Sequence, residues 1–265
     1  MAKFEVDLYR RYRIAYPPQL FEVVKPYCLR PANAPLQVLD LGAGTGLASL
    51  SFLQFYPHAE ITLVEPDADM LSEAEESLKN LTTHVQAVLS PAETYSSLKQ
   101  FDLVLIASAW HWMQAGPVLD TLLRVLKPGG VILVCEYQFP KLVNEQDAPQ
   151  LNEWVRRQFN LHWRTQVQVP RGSLFELVVP FRQSGNFSQV GEARFDHHQL
   201  LHRDTFLGVI FSQSRYLDFE KRLSGIAQTQ NRKVTDTELQ SVWNGFLPLA
   251  FHYQFQSYLF QKRYF

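Results

Sequence analysis

Short apolar segments alternate with helix-like segments through the first half of the chain. Five of them have the length and apolar content of buried strands in a parallel sheet: 38–41, 61–65, 85–89, 101–107 and 131–136. Strands that alternate with helical segments over about 100 residues indicate a doubly wound α/β sheet.

The apolar spacing also predicts the remaining elements. Helical periodicity predicts helices at 19–29, 68–80, 118–126, 150–165, 203–212, 216–228 and 235–245. Apolar positions alternate at 187–201 and again at 249–265, which predicts two further strands. The segment 127–130, Lys-Pro-Gly-Gly, has the composition of a turn before the fifth strand.

A glycine-rich turn follows the first predicted strand. Asp40 precedes three glycines on alternate positions, Gly42, Gly44 and Gly46. A dinucleotide fingerprint would need its third glycine at position 47, which is Leu. An acid before such a turn suits the amino group of S-adenosylmethionine better than a pyrophosphate. Considered alone, the turn also fits a tight connection in another α/β protein.

Polar and aromatic residues follow other predicted strands. Glu65 ends the second strand, where an acid can accept both hydroxyls of a ribose, and an exposed strand-end carboxylate is the alternative. Met70 either covers an adenine ring or anchors its helix to the sheet. The fourth strand opens into Trp110-His111-Trp112, where parallel sheets bind ligands.

Composition narrows the range of functions. The 265 residues are 46% hydrophobic and carry a net charge of −1, which argues against broad electrostatic binding to nucleic acid or anionic membranes. Cys28 and Cys135 form no CxxC pair, so we expect neither a disulfide scaffold nor a zinc site, and a reducing, cytoplasmic location. We also expect no signal peptide and no membrane span.

Two further groups have open interpretations. Tyr9 and Arg13 lie one helical turn apart in an aromatic, basic arm, which is either a flap over a pocket or a helix packed on the surface. His198 and His202 resemble a metal pair, but the HExxH motif is missing and a strand-to-helix junction lies between them. We therefore expect no metal site.

Taken together, these stretches resemble the class I S-adenosylmethionine-dependent methyltransferases. The matching pieces stand in the family's order and cover roughly residues 36–138; they are the segments 38–46, 64–71, 92–93, 101–104 and 123–130. The arm and Trp110-His111-Trp112 are similar to the small-molecule branch typified by trans-aconitate methyltransferase. Ile14 stands where that branch usually has proline.

The resemblance implies a seven-stranded, Rossmann-like sheet of order 3-2-1-4-5-7-6, with the last strand antiparallel and a helical lid insertion. The whole chain, 1–265, would be one methyltransferase domain. Its parts would be an N-terminal arm and helix (1–30), a cofactor-binding core (36–138), a variable lid and acceptor region (139–248) and the last strand (249–265).

The resemblance also assigns roles around S-adenosyl-L-methionine. The three glycines would line its methionine part, Asp40 its amino group and Glu65 its ribose. Pro66 and Met70 would flank adenine, and Ala92 and Glu93 would meet the ring nitrogens and amine, since Pro91 replaces the family's usual polar residue. The expected cofactor contacts are completed by Tyr9, Arg13, Ala43, Ser108 and Trp110.

The implied reaction is direct methyl transfer to a small-molecule acceptor, through an oxygen of a carboxylate or a hydroxyl. His111 is the candidate base, with a structural histidine as the alternative. The expected acceptor contacts are His111, Trp112, Trp163, Arg164 and Tyr216. A non-catalytic cofactor-binding subunit and a macromolecular methyltransferase are the rival functions, and the oligomeric state stays open between monomer and dimer.

Overall fold

A single mixed sheet runs through the protein. The structure, a computed structural model, describes residues 3–28, 34–79, 81, 84–159, 173–243, 245 and 247–264. The strands within these ranges are β1 (Gln37–Leu41), β2 (Glu60–Glu65), β3 (Val85–Leu89), β4 (Phe101–Ala107), β5 (Leu126–Tyr137), β6 (Lys141–Leu142), β7 (Phe187–Leu201) and β8 (Leu249–Lys262).

The described helices cover both faces of this sheet and its carboxyl-terminal edge. They are α1 (Lys3–Tyr12), α2 (Gln19–Glu22), α3 (Leu47–Phe55), α4 (Ala68–Leu78), α5 (Ala115–Val125), α6 (Pro149–Arg157), α7 (Leu174–Leu177), α8 (Val179–Gln183), α9 (Arg203–Phe211), α10 (Ser214–Lys221) and α11 (Gly225–Val242). Short 3₁₀ turns lie at Lys25–Tyr27, Trp110–Trp112 and Glu145–Asp147.

The strand order confirms the fold expected from the sequence. The order is β3-β2-β1-β4-β5-β8, and β7 pairs with the far edge of β8. Strands β1 to β5 pair in parallel, whereas β8 is antiparallel to both β5 and β7. The two-residue strand β6 is an addition to the expected seven, and it pairs with β8 at His252 and Phe251.

The core explains why these segments form strands. Every residue of β4 from Phe101 to Ile106 is buried, because helices cover both faces of the central sheet. One apolar cluster packs α2, α3 and α4 against one face, and a second packs α5, α7 and α8 against the other. A third cluster joins α6, α9 and α11 to the end of β8. This arrangement leaves the carboxyl ends of the parallel strands free to form a site.

Three helix predictions were wrong in extent. The helix expected at 19–29 ends at Glu22 and gives way to the turn Lys25–Tyr27, because Pro26 has no N–H to continue the ladder. In place of the helices expected at 216–228 and 235–245, the structure has α10 and α11. Helix α11 begins at Gly225, with Ser224 as its N-cap residue. The polar stretch 228–235 continues α11, since its Gln, Arg and Lys residues favour helix.

Other boundaries also differ. The expected turn 127–130 is part of β5, where its two glycines form an irregular extended stretch. The pairing of β5 with β4 shifts register at this point, between Phe101 and Leu103 of β4. The helix 118–126 begins earlier, at Ala115, and β8 ends at Lys262 rather than at 265. The helix 150–165 is described only as Pro149–Arg157, and residues 160–172 lie outside the described residues.

Candidate active site

A cavity of about 1050 Å³ opens at the carboxyl ends of β1, β2, β4 and β5. The N-terminal arm borders it on one side and α10 borders it on the other, through Tyr9, Arg13, Leu217 and Lys221. Small-molecule sites usually measure about 300 to 1,000 Å³, so this cavity has room for two small molecules side by side.

Bare backbone forms part of the cavity wall at the end of β1. Gly42 has φ of +76°, and its N–H donates to the carbonyl of Val64 at 2.8 Å. A Cβ atom on Gly42 would lie 2.7 Å from Cβ of Ala109 and 2.9 Å from Cε of Met113. A side chain therefore does not fit here, and a ligand can approach the peptide groups of 42–44 directly.

Glu65 is held in place at the end of β2 by two backbone groups. The N–H of Gly44 donates to one carboxylate oxygen at 2.9 Å, and the N–H of Asp67 donates to the other at 3.1 Å. Burial raises the pKa of Glu65, and these two hydrogen bonds oppose the rise. The carboxylate lines the cavity, and each of its oxygens has further capacity to accept a hydrogen bond from a ligand hydroxyl.

Asp40 lies beneath the glycine turn rather than on the cavity wall. Its carboxylate is fully buried, and one oxygen accepts from Oγ of Ser49 at 2.6 Å. The other oxygen, Oδ1, has no hydrogen-bond partner among the described residues. Burial raises the pKa of Asp40 to about 6. An unsatisfied buried carboxylate oxygen is the feature expected where a cationic ammonium, or a water bound to it, completes the site.

Gly46 has a packing role in this structure and does not line the cavity. It precedes α3 with φ of +78°, and a Cβ atom there would lie 2.9 Å from Cδ1 of Leu78 and 3.0 Å from Cβ of Ala74. The residue therefore lets α4 pack closely against the turn. Ala43 and Gly44 both line the cavity.

The expected adenine contacts lie together on one wall. Pro66, Met70, Ala92 and Glu93 line the cavity, as does Met113 in the loop after β4. One oxygen of Glu93 accepts the N–H of Gln114 at 2.9 Å, which fixes the direction of this side chain. The wall thus combines apolar surfaces suited to a flat ring with one acceptor carboxylate.

Arg13 lies at the centre of the arm's contribution to the site. Its guanidinium stacks on the ring of Tyr9 at 4.6 Å, and Nη2 donates to the carbonyl of Ser212 at 2.9 Å. Nη1 lies 3.5 Å from the hydroxyl of Tyr137. The buried Nε has no acceptor among the described residues, so this cation can still bind an anionic group of a ligand.

Ser108 has a strained backbone beside the arm. Its φ of +52° is the only positive value among the described residues other than glycine. The Ser108 N–H donates to the carbonyl of Cys135 at 2.7 Å, and its Oγ accepts from the hydroxyl of Tyr16 at 3.0 Å. Such backbone conformations cluster at ligand sites.

The three side chains of the Trp110-His111-Trp112 turn lie in different environments. Trp110 is buried away from the cavity and donates from Nε1 to the carbonyl of Leu177 at 2.7 Å. His111 lines the cavity, and burial together with the Arg13 charge lowers its pKa to about 4. Trp112 lines the mouth and is 54% exposed.

The far end of the cavity contains residues that sequence reasoning missed. Glu136 and Tyr137 come from the end of β5, and the rule that ligands bind at strand ends would have selected them. Phe139 lies two residues beyond. Burial raises the pKa of Glu136 to about 7, although the Leu174 N–H bonds to it. The contributions of α10 had no sequence signal; they are Ser214, Leu217, Asp218 and Lys221.

Three of the expected acceptor residues do not contribute to the described wall. Tyr216 is fully buried, and its hydroxyl accepts from Asn231 at 3.0 Å outside the cavity. Trp163 and Arg164 lie outside the described residues.

Within the described ranges, the requirements of a metal-binding cluster and of a membrane-spanning helix are not met. They contain no group of three or more His, Cys, Asp or Glu side chains arranged to hold a metal ion. None of the helices within those ranges is long and apolar enough to cross a membrane.

Comparison with known proteins concerns the segment that contains the glycine turn. Residues 38–130 match a family model described as a methyltransferase domain. A methyltransferase of Mycobacterium tuberculosis is 32% identical over 126 residues, 47% of each chain. A trans-aconitate 2-methyltransferase of Azoarcus is 27% identical over 132 residues, 48% of this chain and 49% of that one. The chain thus spans about half the length of the curated relatives it matches.

The fold extends over nearly the whole chain. A crystal structure of an S-adenosylmethionine-dependent methyltransferase from Geobacter sulfurreducens, in complex with S-adenosylhomocysteine, covers 99% of this chain and 98% of its own. The TM-score is 0.58 and the identity is 16%, so this likeness concerns the fold. The glycine turn, strand β1 from Val38 onward and the strands β2 to β4 lie in the segment 38–130, which matches the methyltransferase domain model.

Proposed function

We propose that this protein transfers a methyl group from S-adenosylmethionine to an oxygen of a small molecule. The observation that carries the proposal is the carboxylate of Glu65, held by two backbone N–H groups on the wall of a cavity with room for donor and acceptor. The methyltransferase domain match and the trans-aconitate relative support the same chemistry.

The described residues suit the separate parts of the donor. Glu65 accepts from the two ribose hydroxyls, and Met70 covers adenine. Asp40 provides the unsatisfied oxygen for the ammonium group, directly or through water. Arg13, with an unpartnered Nε beside Tyr9, binds the carboxylate at the arm.

The protein's own contribution to the reaction is positioning and exclusion of water. S-adenosylmethionine supplies an already activated methyl group, so a large part of the rate enhancement can come from holding an acceptor oxygen in line with it. Tyr9, Tyr16 and Trp112 line the arm side and the mouth, where they exclude bulk water from the cavity.

His111 is the base candidate, and its environment sets a limit on that role. Its lowered pKa keeps the imidazole neutral near pH 7, so it can accept a proton, but it is a weak base. A structural role under the loop is the alternative. Unchanged turnover in His111→Ala would exclude the base role, and a large loss of kcat with unchanged cofactor affinity would support it.

The two acids at the far end of the cavity favour a hydroxyl over a carboxylate as the acceptor, although the cation Lys221 lines the same end. Glu136 and Asp218 both line this end, and each would repel an anion. Asp218 is paired at 3.7 Å with Arg222, so Glu136 is the stronger of the two arguments. With its raised pKa, Glu136 can take the proton that a hydroxyl loses.

The experiment measures S-adenosylhomocysteine formed with two sets of acceptors, simple phenols and short dicarboxylic acids. The proposal expects turnover of at least one set, with phenols preferred and with a loss of rate in Glu136→Gln. Binding of S-adenosylmethionine without turnover of either set would favour a non-catalytic cofactor-binding subunit. Methylation of nucleic acid or protein alone would favour the macromolecular alternative.

The proposed setting is the cytoplasm. Both cysteines, Cys28 and Cys135, are buried, and Cys135 is a free thiol, which suits a reducing compartment. The proposed partner is the small-molecule acceptor, without nucleic acid or membrane.

A further inference from the structure

Strand β7 forms a long edge of the sheet, remote from the cavity. All of it, from Phe187 to Leu201, runs antiparallel to β8 on one side. On its other side no strand of the described chain pairs with it. An edge of this length presents unpaired N–H and C=O groups to any strand that can align with it.

The free part of this edge has clear limits. The register of β7 shifts between Gln189 and Gly191, and the hydroxyl of Tyr27 donates to the carbonyl of Val190 at 3.1 Å. A pairing strand is therefore blocked up to Val190. At the other end Leu201 is buried. Among the described residues, the segment 191–200 is left as the free edge, and Phe195 lies next to its midpoint.

The exposed face of this segment carries three charges of alternating sign, on Glu192, Arg194 and Asp196, followed by His198. Glu192, Arg194, Asp196 and His198 all lie on the exposed side of the strand. Arg194 donates to the hydroxyl of Tyr258 at 3.1 Å, and Asp196 lies 3.7 Å from Nδ1 of His252. Both contacts leave the carboxylate and the guanidinium able to accept or donate further hydrogen bonds.

We propose that a second copy of this chain pairs with the free edge, antiparallel and about a two-fold axis at Phe195. In this register Arg194 lies opposite Asp196 of the second copy, and the symmetry repeats the pair. Glu192 likewise lies opposite His198 of the second copy. Residues directly opposite in an antiparallel pair share one face of the sheet, so the charges of Arg194 and Asp196 meet on the exposed face, and Glu192 and His198 are neighbours there.

Neighbouring registers are less favourable. A two-fold axis at Arg194 would place Glu192 opposite Asp196 of the second copy and the two Arg194 side chains opposite each other. An axis at Asp196 would place the two Asp196 side chains opposite each other. An axis at Ala193 pairs Glu192 with Arg194 but leaves Asp196 opposite Val190, where the edge is blocked. Of these axes, only the one at Phe195 places opposite charges together and lies next to the midpoint of the free segment. The same charges that stabilise this register disfavour edge-to-edge aggregation in others.

The proposed dimer is small and leaves the active site open. No residue of β7 is among the described residues lining the large cavity, so association does not close it. Pairing over 191–199 involves few residues, and we therefore expect a dimer that dissociates on dilution. A two-fold symmetric pair uses the free edge of both copies, so assembly stops at the dimer.

Sedimentation velocity over a concentration series tests the proposal, with the wild-type protein and with variants in which the charges of residues 194 and 196 are exchanged. The wild-type protein should show a concentration-dependent dimer. Arg194→Asp and Asp196→Arg should each raise the dimer dissociation constant by about tenfold or more, because each replaces two attractive pairs by two repulsive ones. The double exchange, R194D with D196R, should restore dimerisation, since opposite charges again meet across the axis.

A charge change elsewhere provides the matched control. Glu75→Arg on the exposed side of α4 should leave the dimer unchanged. A monomeric wild-type protein at every concentration would overturn the proposal, as would a dimer that persists in both single variants. Weakening in both single variants without recovery in the double exchange would overturn the two-fold register. Far-UV circular dichroism of each variant separates a lost interface from a lost fold.

Discussion

The hydroxyl of Tyr16 donates a hydrogen bond of 3.0 Å to Oγ of Ser108, so the N-terminal arm is tied to the strained loop after β4. Tyr16 is itself 7% exposed and packs edge-on against Tyr137 at 5.8 Å. Arm, loop and the end of β5 therefore meet at one point, beside the proposed position of the donor's methionine part.

Removal of this hydroxyl should weaken cofactor binding. In Tyr16→Phe the packing is kept and one hydrogen bond is lost, which corresponds to about 1 kcal/mol, or roughly a fivefold loss of affinity for S-adenosylhomocysteine. Tyr27→Phe is the matched control, because its hydroxyl bonds to Val190 away from the cavity. Calorimetry should show a loss for the first variant only, and equal affinities in both would contradict the role of the arm.

Asp40 should make stability depend on pH. Its folded pKa of about 6 lies above the value of 3.8 expected when unfolded, so its stabilising effect is complete below about pH 4 and is lost as pH rises through 6. Asp40→Asn does not titrate. Relative to that variant, the wild-type protein should therefore lose roughly 3 kcal/mol of unfolding free energy between pH 4 and 8.

Urea unfolding of both proteins at several pH values provides the measurement. The variant should be the more stable protein near pH 8, yet bind S-adenosylmethionine more weakly, because the ammonium group loses its carboxylate partner. Parallel stability curves for the two proteins across this range would show that Asp40 is not held at a raised pKa.

Gly46 should tolerate no side chain, for reasons of space as well as backbone conformation. Gly46→Ala combines a left-handed residue with a Cβ 2.9 Å from Leu78, which together should cost about 2 to 5 kcal/mol. Gly185 has a similar φ of +72° and nothing within 4 Å of the added atom, so Gly185→Ala should cost only about 1 to 2 kcal/mol. Equal losses in denaturant unfolding would mean that α4 moves away without cost.

The parallel core was predictable because its physical signal is local. The segment 101–107 is continuously apolar, and β4 occupies those same residues, since a strand covered on both faces has no polar side to show. The same holds for 187–201, where alternation marks a half-exposed strand and β7 has the same bounds.

The segment 139–248 was less predictable because the boundaries of its helices depend on tertiary packing. Residues 228–235 contain no helical apolar pattern, yet α11 continues through them, with tertiary contacts from Asn231 to Tyr216 and from Arg232 to Glu220. The contributions of Leu217 and Asp218 to the cavity follow from how α10 packs over the sheet, which no spacing along the chain records. Arg13 and Glu65 were identifiable because each stands at a recognisable place in the sequence, Arg13 in the arm motif and Glu65 at the end of the second strand.

The central claim concerns Glu65, and calorimetric titration with S-adenosylmethionine and S-adenosylhomocysteine tests it most directly. The wild-type protein should bind both ligands in the micromolar range, and Glu65→Ala should lose about 2 to 3 kcal/mol of binding free energy, or roughly 30- to 150-fold in affinity. Glu60→Ala, at the opposite end of the same strand, should bind as the wild type does. No binding by the folded wild-type protein, or equal binding by Glu65→Ala, would contradict the proposed donor site.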